Sequence, residues 1–170
     1  MITEHRVISS ETGRKISKSL HVRRQKLVFT NGVFDILHIG HLKYLKEAKA
    51  LGDVLIVGIN SDSSTSILKG DNRPLVNQNE RAKIISALYF VDYVIIFHEI
   101  TPEKLILELR PDIYVKGGDY RIEDLPEFKT VKSYGGKVRI LSHEFNKSTT
   151  NIIRKILKTY QGISKRKTKK

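Results

Sequence analysis

Five short apolar runs, each separated from the next by segments with helical spacing, narrow what this chain can fold into. The runs are Lys26–Thr30, Val54–Ile59, Val91–Phe97, Asp112–Lys116 and Val138–Leu141. They are nearly continuous rather than alternating, so each predicts a strand covered on both faces, as in a parallel sheet. After the first run, Leu42, Leu45, Ala48 and Leu51 recur at helical spacing, with Lys43, Lys46, Glu47 and Lys49 outside the stripe and Gly52 as a left-handed cap. A second helix opens at Asn79-Glu80-Arg81 and runs to about Ala87, with Ile84, Ile85 and Leu88 facing in. Thr101-Pro102-Glu103 starts a third, which carries Leu105, Ile106 and Leu109 and stops before Pro111. Residues 124–134 read as helical, ending at Gly135-Gly136. Ser148-Thr149-Thr150-Asn151 opens the last helix, with Ile152, Ile153, Ile156 and Leu157 on its inward face. Right-handed strand–helix–strand units of this length predict a three-layer α/β/α sandwich around a five-stranded parallel sheet. In such sheets ligands bind along the carboxyl edge.

The chain of 170 residues is long enough for one domain with a real core. It has no cysteine, no apolar run of membrane-spanning length and no secretory h-region, so a cytoplasmic protein without a membrane anchor is expected. The formal net charge of +13 would suit a nucleic-acid partner. However, residues 1–26 and 164–170 each contribute +5, which leaves +3 for residues 27–163. Nucleic acid is therefore not the expected partner of the body. Residues 1–25 read as a basic lead-in with a short helix leaning on the body through Ile16, Leu20 and Val22, residues 26–160 as the domain, and residues 161–170 as a basic flexible tail. The tail is expected to be solvated; contact with nucleic acid or an anionic membrane is its alternative.

The stretch from Thr30 to His41 carries the clearest chemistry. It reads as a strand, a phosphate-handling turn and a helix start: Thr-Asn-Gly-Val-Phe-Asp-Ile-Leu-His-Ile-Gly-His. Gly32 permits unusual backbone angles. The helix opening near Gly40 aims unpaired N–H groups and its positive end at the turn. His38 and His41, three residues apart, share one face of its first turn. Asn60-Ser61-Asp62 sits at the carboxyl end of the second strand, where Asp62 or Ser63 could equally cap the next helix. Lys69 and Arg73 lie in a loop, as ligand groups or as solvated charges, and Arg81 could face solvent or the site. Lys116 ends an apolar strand, where a lysine is costly to bury without an anionic partner. The glycines after it, Gly117 and Gly118, make room for a ligand or a tight turn. Ser148, Thr149 and Thr150 are an N-cap and also a place where phosphate oxygens would be well received.

Taken together, these motifs resemble the nucleotidyltransferase superfamily known as HIGH for its H-x-G-H signature. Within it the chain is similar to the cytidylyltransferase-like branch, and most like the ADP-heptose synthase family in its heptose 1-phosphate adenylyltransferase domain. The resemblance covers roughly Lys26 to Leu157. It rests on the stretch above together with Leu51-Gly52-Asp53, Leu68-Lys69-Gly70-Asp71-x-Arg73-Pro74, Val91-Asp92, Val115-Lys116-Gly117-Gly118-Asp119-Tyr120 and Ser148-Thr149-Thr150-Asn151-Ile152-Ile153. It implies a Rossmann-like fold and transfer of AMP from ATP to a sugar 1-phosphate, with pyrophosphate released and Mg²⁺ held mainly by phosphates and waters, with no protein metal ligands. By position it implies His38, His41 and Lys69 as catalytic groups. It implies Thr30, Asn31, Gly32, Phe34, Asp35, Gly40, Arg81, Lys116, Gly117, Asp119, Ser148, Thr149 and Thr150 as nucleotide-binding, and Asn60, Asp62 and Arg73 as lining the acceptor side. It further implies a homodimer, with a separate sugar kinase supplying the acceptor.

Asn146 and Lys147 stand two and one residues before the Ser-Thr-Thr run, where the family usually has Gly at the first, and Ile100 stands where an acid is common. The rival within the class is a cytidylyltransferase or relative using CTP, or a glycerol, ribitol or flavin phosphate. Outside the class the rival is a basic nucleic-acid-binding module. A class I aminoacyl-tRNA synthetase fragment shares the H-x-G-H signature, but the chain is too short for that activity.

Overall fold

The structure is a computed structural model that describes residues 6–119, 121–141 and 148–167, with the backbone alone for residues 161–167. Five apolar runs become strands: β1 (Leu27–Gly32), β2 (Val54–Asn60), β3 (Tyr93–Phe97), β4 (Ile113–Gly117) and β5 (Lys137–Leu141). All pair in parallel in the order β3-β2-β1-β4-β5. The helices are α1 (Ser10–Val22), α2 (Ile39–Lys49), α3 (Asp62–Lys69), α4 (Gln78–Ser86), α5 (Glu103–Leu109), α6 (Glu127–Lys132) and α7 (Thr149–Lys167). The fold is thus the α/β sandwich expected from the sequence.

Strand side chains alternate between two cores. Val28, Leu55, Val57, Val94 and Val115 meet Tyr44, Leu45 and Ala48 of α2 and Ala82 and Ile85 of α4 on one face. Leu27, Phe29, Ile56, Ile95 and Tyr114 meet Leu20 of α1, Leu105, Ile106 and Leu109 of α5 and Val131 of α6 on the other. The chain leaves β1 toward β2 and β3 and then returns to the far side of β1 as β4. That reversal opens a crevice at the carboxyl ends of β1 and β4. The N-termini of α2, α3 and α7 all lie at this edge.

Several local expectations are corrected. The N-terminal segment forms a 13-residue helix whose N-cap Ser9 accepts from Thr12 N. Its buried face is Gly13, Ser17 and Leu20, Ile16 is half-buried, and Val22 is 85 % exposed. Ser17 donates to Leu109 O. Gly13 and Ser17 let α1 approach β3 and α5 closely, so part of its buried face carries no large apolar side chain. Gly52 is not a left-handed cap; α2 ends at Ala50, and a Cβ on Gly52 would meet Val28 Cγ2 at 2.7 Å and Lys26 O at 2.9 Å. Close packing, not φ, requires that glycine. Ile84 points outward, 46 % exposed. α4 begins at Gln78, one residue before the start read at Asn79, and is capped by Asn77. The helix read over 124–134 divides into a 3-10 turn, Ile122–Asp124, and the shorter α6. The α7 backbone stays helical to Lys167, into the stretch read as a flexible tail; residues 168–170 lie outside the described residues.

Candidate active site

A cleft of about 830 Å³ runs along the carboxyl edge. Its floor is the turn after β1, from Asn31 to Asp35, with His38 and His41 at the start of α2. Asn60, Lys69 and Arg73 line one side, Lys116, Gly117 and Glu127 another, and Ser148, Thr149 and Thr150 close the third. A second, smaller pocket of about 250 Å³ lies between the turn, Gly40, Tyr44 and Gly117.

The two imidazoles form the centre. His38 is the N-cap of α2 in an extended conformation and does not cap it with its side chain. Its ring stacks on His41 with centroids 3.8 Å apart, and His41 meets the edge of Phe34 at 5.2 Å. Nδ1 of each histidine is buried with no hydrogen-bond partner among the described residues. Burial lowers the His38 pKa, and burial with the neighbouring His38 lowers that of His41 to about 4. Both rings are therefore neutral near pH 7. Phe34 adopts φ +50, a left-handed conformation unusual for an aromatic residue. Gly32 instead gives space, since a Cβ there would stand 3.0 Å from the Phe34 ring. The unusual backbone angle read for Gly32 thus falls on Phe34.

Asp35 is spoken for by the protein. Its carboxylate accepts from Leu75 N at 2.8 Å, from Val76 N at 2.9 Å and from Arg73 Nε. Burial works against its charge, but the Val76 and Leu75 N–H groups and Arg73 outweigh it and lower its pKa. Arg81 lies beneath the site, its side chain without exposed surface. Its guanidinium donates to Val76 O at 2.8 Å, Val33 O at 2.5 Å and Asp62 Oδ1 at 2.7 Å. One arginine thus ties the turn after β1 to the start of α3 and the loop before α4. Asp62 takes that bond while Ser61 Oγ caps α3, the capping role read for Asp62 or Ser63. Thr30 is fully buried, its hydroxyl paired with Tyr44, whose OH donates to Val115 O at 3.0 Å. Asn60 is buried and donates to Ser64 Oγ at 3.3 Å. Lys69 is exposed at the cleft rim, whereas Asp119 is exposed and outside the cleft lining.

Lys116 does have an anionic partner, and the protein supplies it. Its Nζ lies 2.8 Å from Glu127 Oε1 and 3.3 Å from Tyr114 OH. Tyr114 OH is also 2.7 Å from Asn31 Oδ1 and 3.0 Å from Glu127 Oε1, and with one proton it donates to one of them at a time. Glu127 is 3 % exposed, and its Oε2 is buried without a partner among the described residues. Burial resists its charge, but Lys116 prevails and its pKa is lowered. Tyr114, Glu127 and Tyr44 were not read as site residues. Glu127 looks like an ordinary first-turn helix acid, and the two tyrosines lie within apolar stretches. Gly118 is left-handed, φ +123. Ser148 Oγ accepts from Asn151 N at 3.1 Å as the cap of α7, and Thr149 Oγ1 donates to Ile36 O at 3.2 Å. Tyr120 and Asn146-Lys147 lie outside the described residues.

A crevice thus lies at the strand-order reversal, where open α/β sheets bind ligands, with helix N-termini and cations around a neutral histidine pair. A family model described as cytidylyltransferase-like matches residues 29–164, and the chain belongs to that family. Among its relatives, "Bifunctional protein HldE" of Geobacter metallireducens is 54 % identical over 138 residues, 81 % of this chain and 28 % of that protein. The HldE of Cronobacter sakazakii is 54 % identical over 136 residues, 80 % of this chain and 29 % of its own length. The chain therefore spans under a third of these curated relatives. Among solved structures, the lipopolysaccharide core biosynthesis protein from Thermoplasma volcanium is 35 % identical, with a TM-score of 0.58, over 72 % of this chain and 99 % of that one. Pantoate-beta-alanine ligase from Francisella tularensis, solved with β,γ-ATP and β-alanine, is 18 % identical with a TM-score of 0.58 over 89 % of this chain and 75 % of that one, and shares the fold.

Proposed function

We propose that this chain transfers AMP from ATP to a sugar 1-phosphate, a heptose 1-phosphate first among them, giving an ADP-sugar and pyrophosphate for a surface glycan such as lipopolysaccharide. The observation that carries the reading is the stacked, neutral His38–His41 pair at the N-terminus of α2, inside a cleft that also holds Lys69, Lys116 and the Ser148–Thr150 helix start. The similarity to HldE and to a lipopolysaccharide core protein supports the choice of acceptor.

The chemistry asks little of the protein beyond positioning and charge. The acceptor phosphate oxygen attacks the α-phosphorus as the bond to the pyrophosphate oxygen breaks, and no general base is needed. With Nδ1 buried and without an acceptor, the proton of each neutral imidazole is best held on Nε2. Those N–H groups hydrogen-bond the α-phosphate oxygens as charge builds there. Lys69 neutralises the leaving pyrophosphate, and the α7 N-terminus holds phosphate oxygens through N–H groups and hydroxyls. Asn31, Gly32, Phe34 and Gly40 shape the triphosphate turn, while Lys116 and Gly117 shape the nucleotide pocket. Arg81, Asp35 and Thr30 act from beneath as positioning residues, and Asp62 holds Arg81. Asn60 and Arg73 face the acceptor side. Among the described residues no three His, Asp or Glu side chains group to hold a metal, and Asp35 is already engaged. Mg²⁺ fits this site as a companion of the triphosphate, coordinated by phosphate oxygens and water. The family resemblance suggests a homodimer, with a separate sugar kinase supplying the acceptor.

The test is pyrophosphate release with Mg²⁺, pairing ATP and CTP with a panel of sugar 1-phosphates and with glycerol and ribitol phosphates. Release with ATP and D-glycero-β-D-manno-heptose 1-phosphate alone supports the reading to the level of substrate. Release with CTP keeps the mechanism and changes the donor; release with a polyol phosphate keeps the mechanism and changes the acceptor.

A further inference from the structure

We propose that α7 is an interfacial helix that seats the protein on an anionic bilayer surface. After its first turn α7 leaves the body, and every residue from Arg154 to Tyr160 is exposed. Ile156, Leu157 and Tyr160 are 48 %, 55 % and 59 % exposed. With the half-buried Ile152 and Ile153 they fall within one arc of about 140° on the helix, and Arg154, Lys155 and Lys158 occupy the opposite side. An apolar stripe beside a basic face, on a helix that no other described residue covers from Arg154 to Tyr160, is the pattern of helices that lie in the headgroup region.

Charge selects the occupant. After Glu144 the sequence has no Asp or Glu, and Arg154, Lys155, Lys158, Lys165, Arg166 and Lys167 give α7 six cations. A second copy would set this helix against an equally basic one, and like charges oppose that pairing. Nucleic acid would attract the lysines but offers nothing for an isoleucine–leucine–tyrosine stripe. An anionic lipid surface satisfies both faces at once: the stripe enters the acyl boundary while the cations meet lipid phosphates. Among the described residues no helix is long and apolar enough to cross a membrane, so α7 lies on the surface rather than through it. Because α7 begins at Ser148–Thr150, seating it would hold the mouth of the cleft beside the bilayer.

The experiment is flotation of the full chain with vesicles of phosphatidylcholine alone and of phosphatidylcholine with phosphatidylglycerol, alongside sedimentation velocity without lipid. Two variants, Ile156→Asp with Leu157→Asp, and Lys155→Glu with Lys158→Glu, change exposed positions only, and their unfolding midpoints are measured to confirm that the fold is kept. Binding to the anionic vesicles alone is expected, weakened by high salt and reduced about tenfold or more by each double variant. Equal binding to neutral vesicles, or anionic binding that both variants retain, would overturn the proposal. So would a dimer in solution that the Ile156→Asp, Leu157→Asp variant splits, because the stripe would then be a contact between copies. RNA binding without vesicle binding would also overturn it.

Discussion

Burial holds the His41 imidazole at a pKa of about 4 and lowers that of His38, so both are neutral in the folded chain at pH 7. The unfolded chain takes up protons near pH 6.5 while the native site resists them until lower pH. Between these values the unfolded state binds more protons, so stability rises with pH and is lost as pH falls from 6.5 toward 4. His41 alone should cost about 2 kcal/mol over that range. Denaturant midpoints at pH 7 and pH 4.5 measure it, and His41→Ala should flatten the slope. Equal slopes in the two proteins would mean that the histidine is not buried neutral. Arg81 gives a second residue-scale test. Lysine keeps its charge, but its single ammonium cannot span the three separated acceptors that the planar guanidinium reaches, so Arg81→Lys should lose about 2–4 kcal/mol and lower kcat/KM, read by denaturant unfolding and steady-state rates. The sequence left Arg81 open between solvent and site, because no local pattern shows which distant carbonyls a guanidinium will meet. The histidine pair was legible because its helix start lies close by in sequence. Asp35 was read as a nucleotide-binding residue; that its carboxylate clamps Arg73, Leu75 and Val76, some forty residues away, no local pattern could show.

Strands were legible where both faces are covered, since a parallel strand then needs an unbroken apolar run. α2 was legible for the same kind of reason: its stripe packs on the sheet through Leu45 and Ala48. α1 was legible only in part: a short helix through Ile16 and Leu20 was read, but its closest approach is made by Gly13 and Ser17, which carry no apolar side chain, and Val22 faces solvent. The 3-10 turn at Ile122–Asp124 was missed because the helix was read from residue 124, which put Pro126 in its first turn, where proline is tolerated. Packing at the α2–β2 corner gives the element-scale prediction. A Cβ on Gly52 would press on Val28 and the Lys26 carbonyl, and backbone cannot move aside cheaply. Gly52→Ala should therefore lower the unfolding free energy by about 1–3 kcal/mol, measured in urea, although alanine normally stabilises exposed glycine positions.

Three helix N-termini, the turn after β1 and the rim cations meet only because the strand order reverses at β1 and β4. The positions that form this site are spread from Asn31 to Thr150 and share no local signal. The topology was foreseeable from the alternation of strands and helices; which polar groups would satisfy one another at the edge was not. Tyr114 and Glu127 show this, joined to Lys116 and Asn31 only by the fold. At this scale ligand linkage is the natural test. A nucleotide that binds across β1, β4 and α7 should stabilise the whole chain, by about 2.7 kcal/mol at a hundredfold excess over its Kd. Thermal unfolding with ATP and with CTP reads this, and ATP is expected to raise Tm more than CTP. No shift with either would mean that the cleft is not a nucleotide site.

The central claim is that this histidine pair stabilises charge on the α-phosphate during nucleotidyl transfer. Its most direct test is the rate of pyrophosphate release from ATP and D-glycero-β-D-manno-heptose 1-phosphate by the wild-type chain and by His41→Ala. The account expects release by the wild type and a fall of about a hundredfold or more in the variant, with the fold intact by circular dichroism. A variant that releases pyrophosphate within a few-fold of the wild-type rate would contradict it.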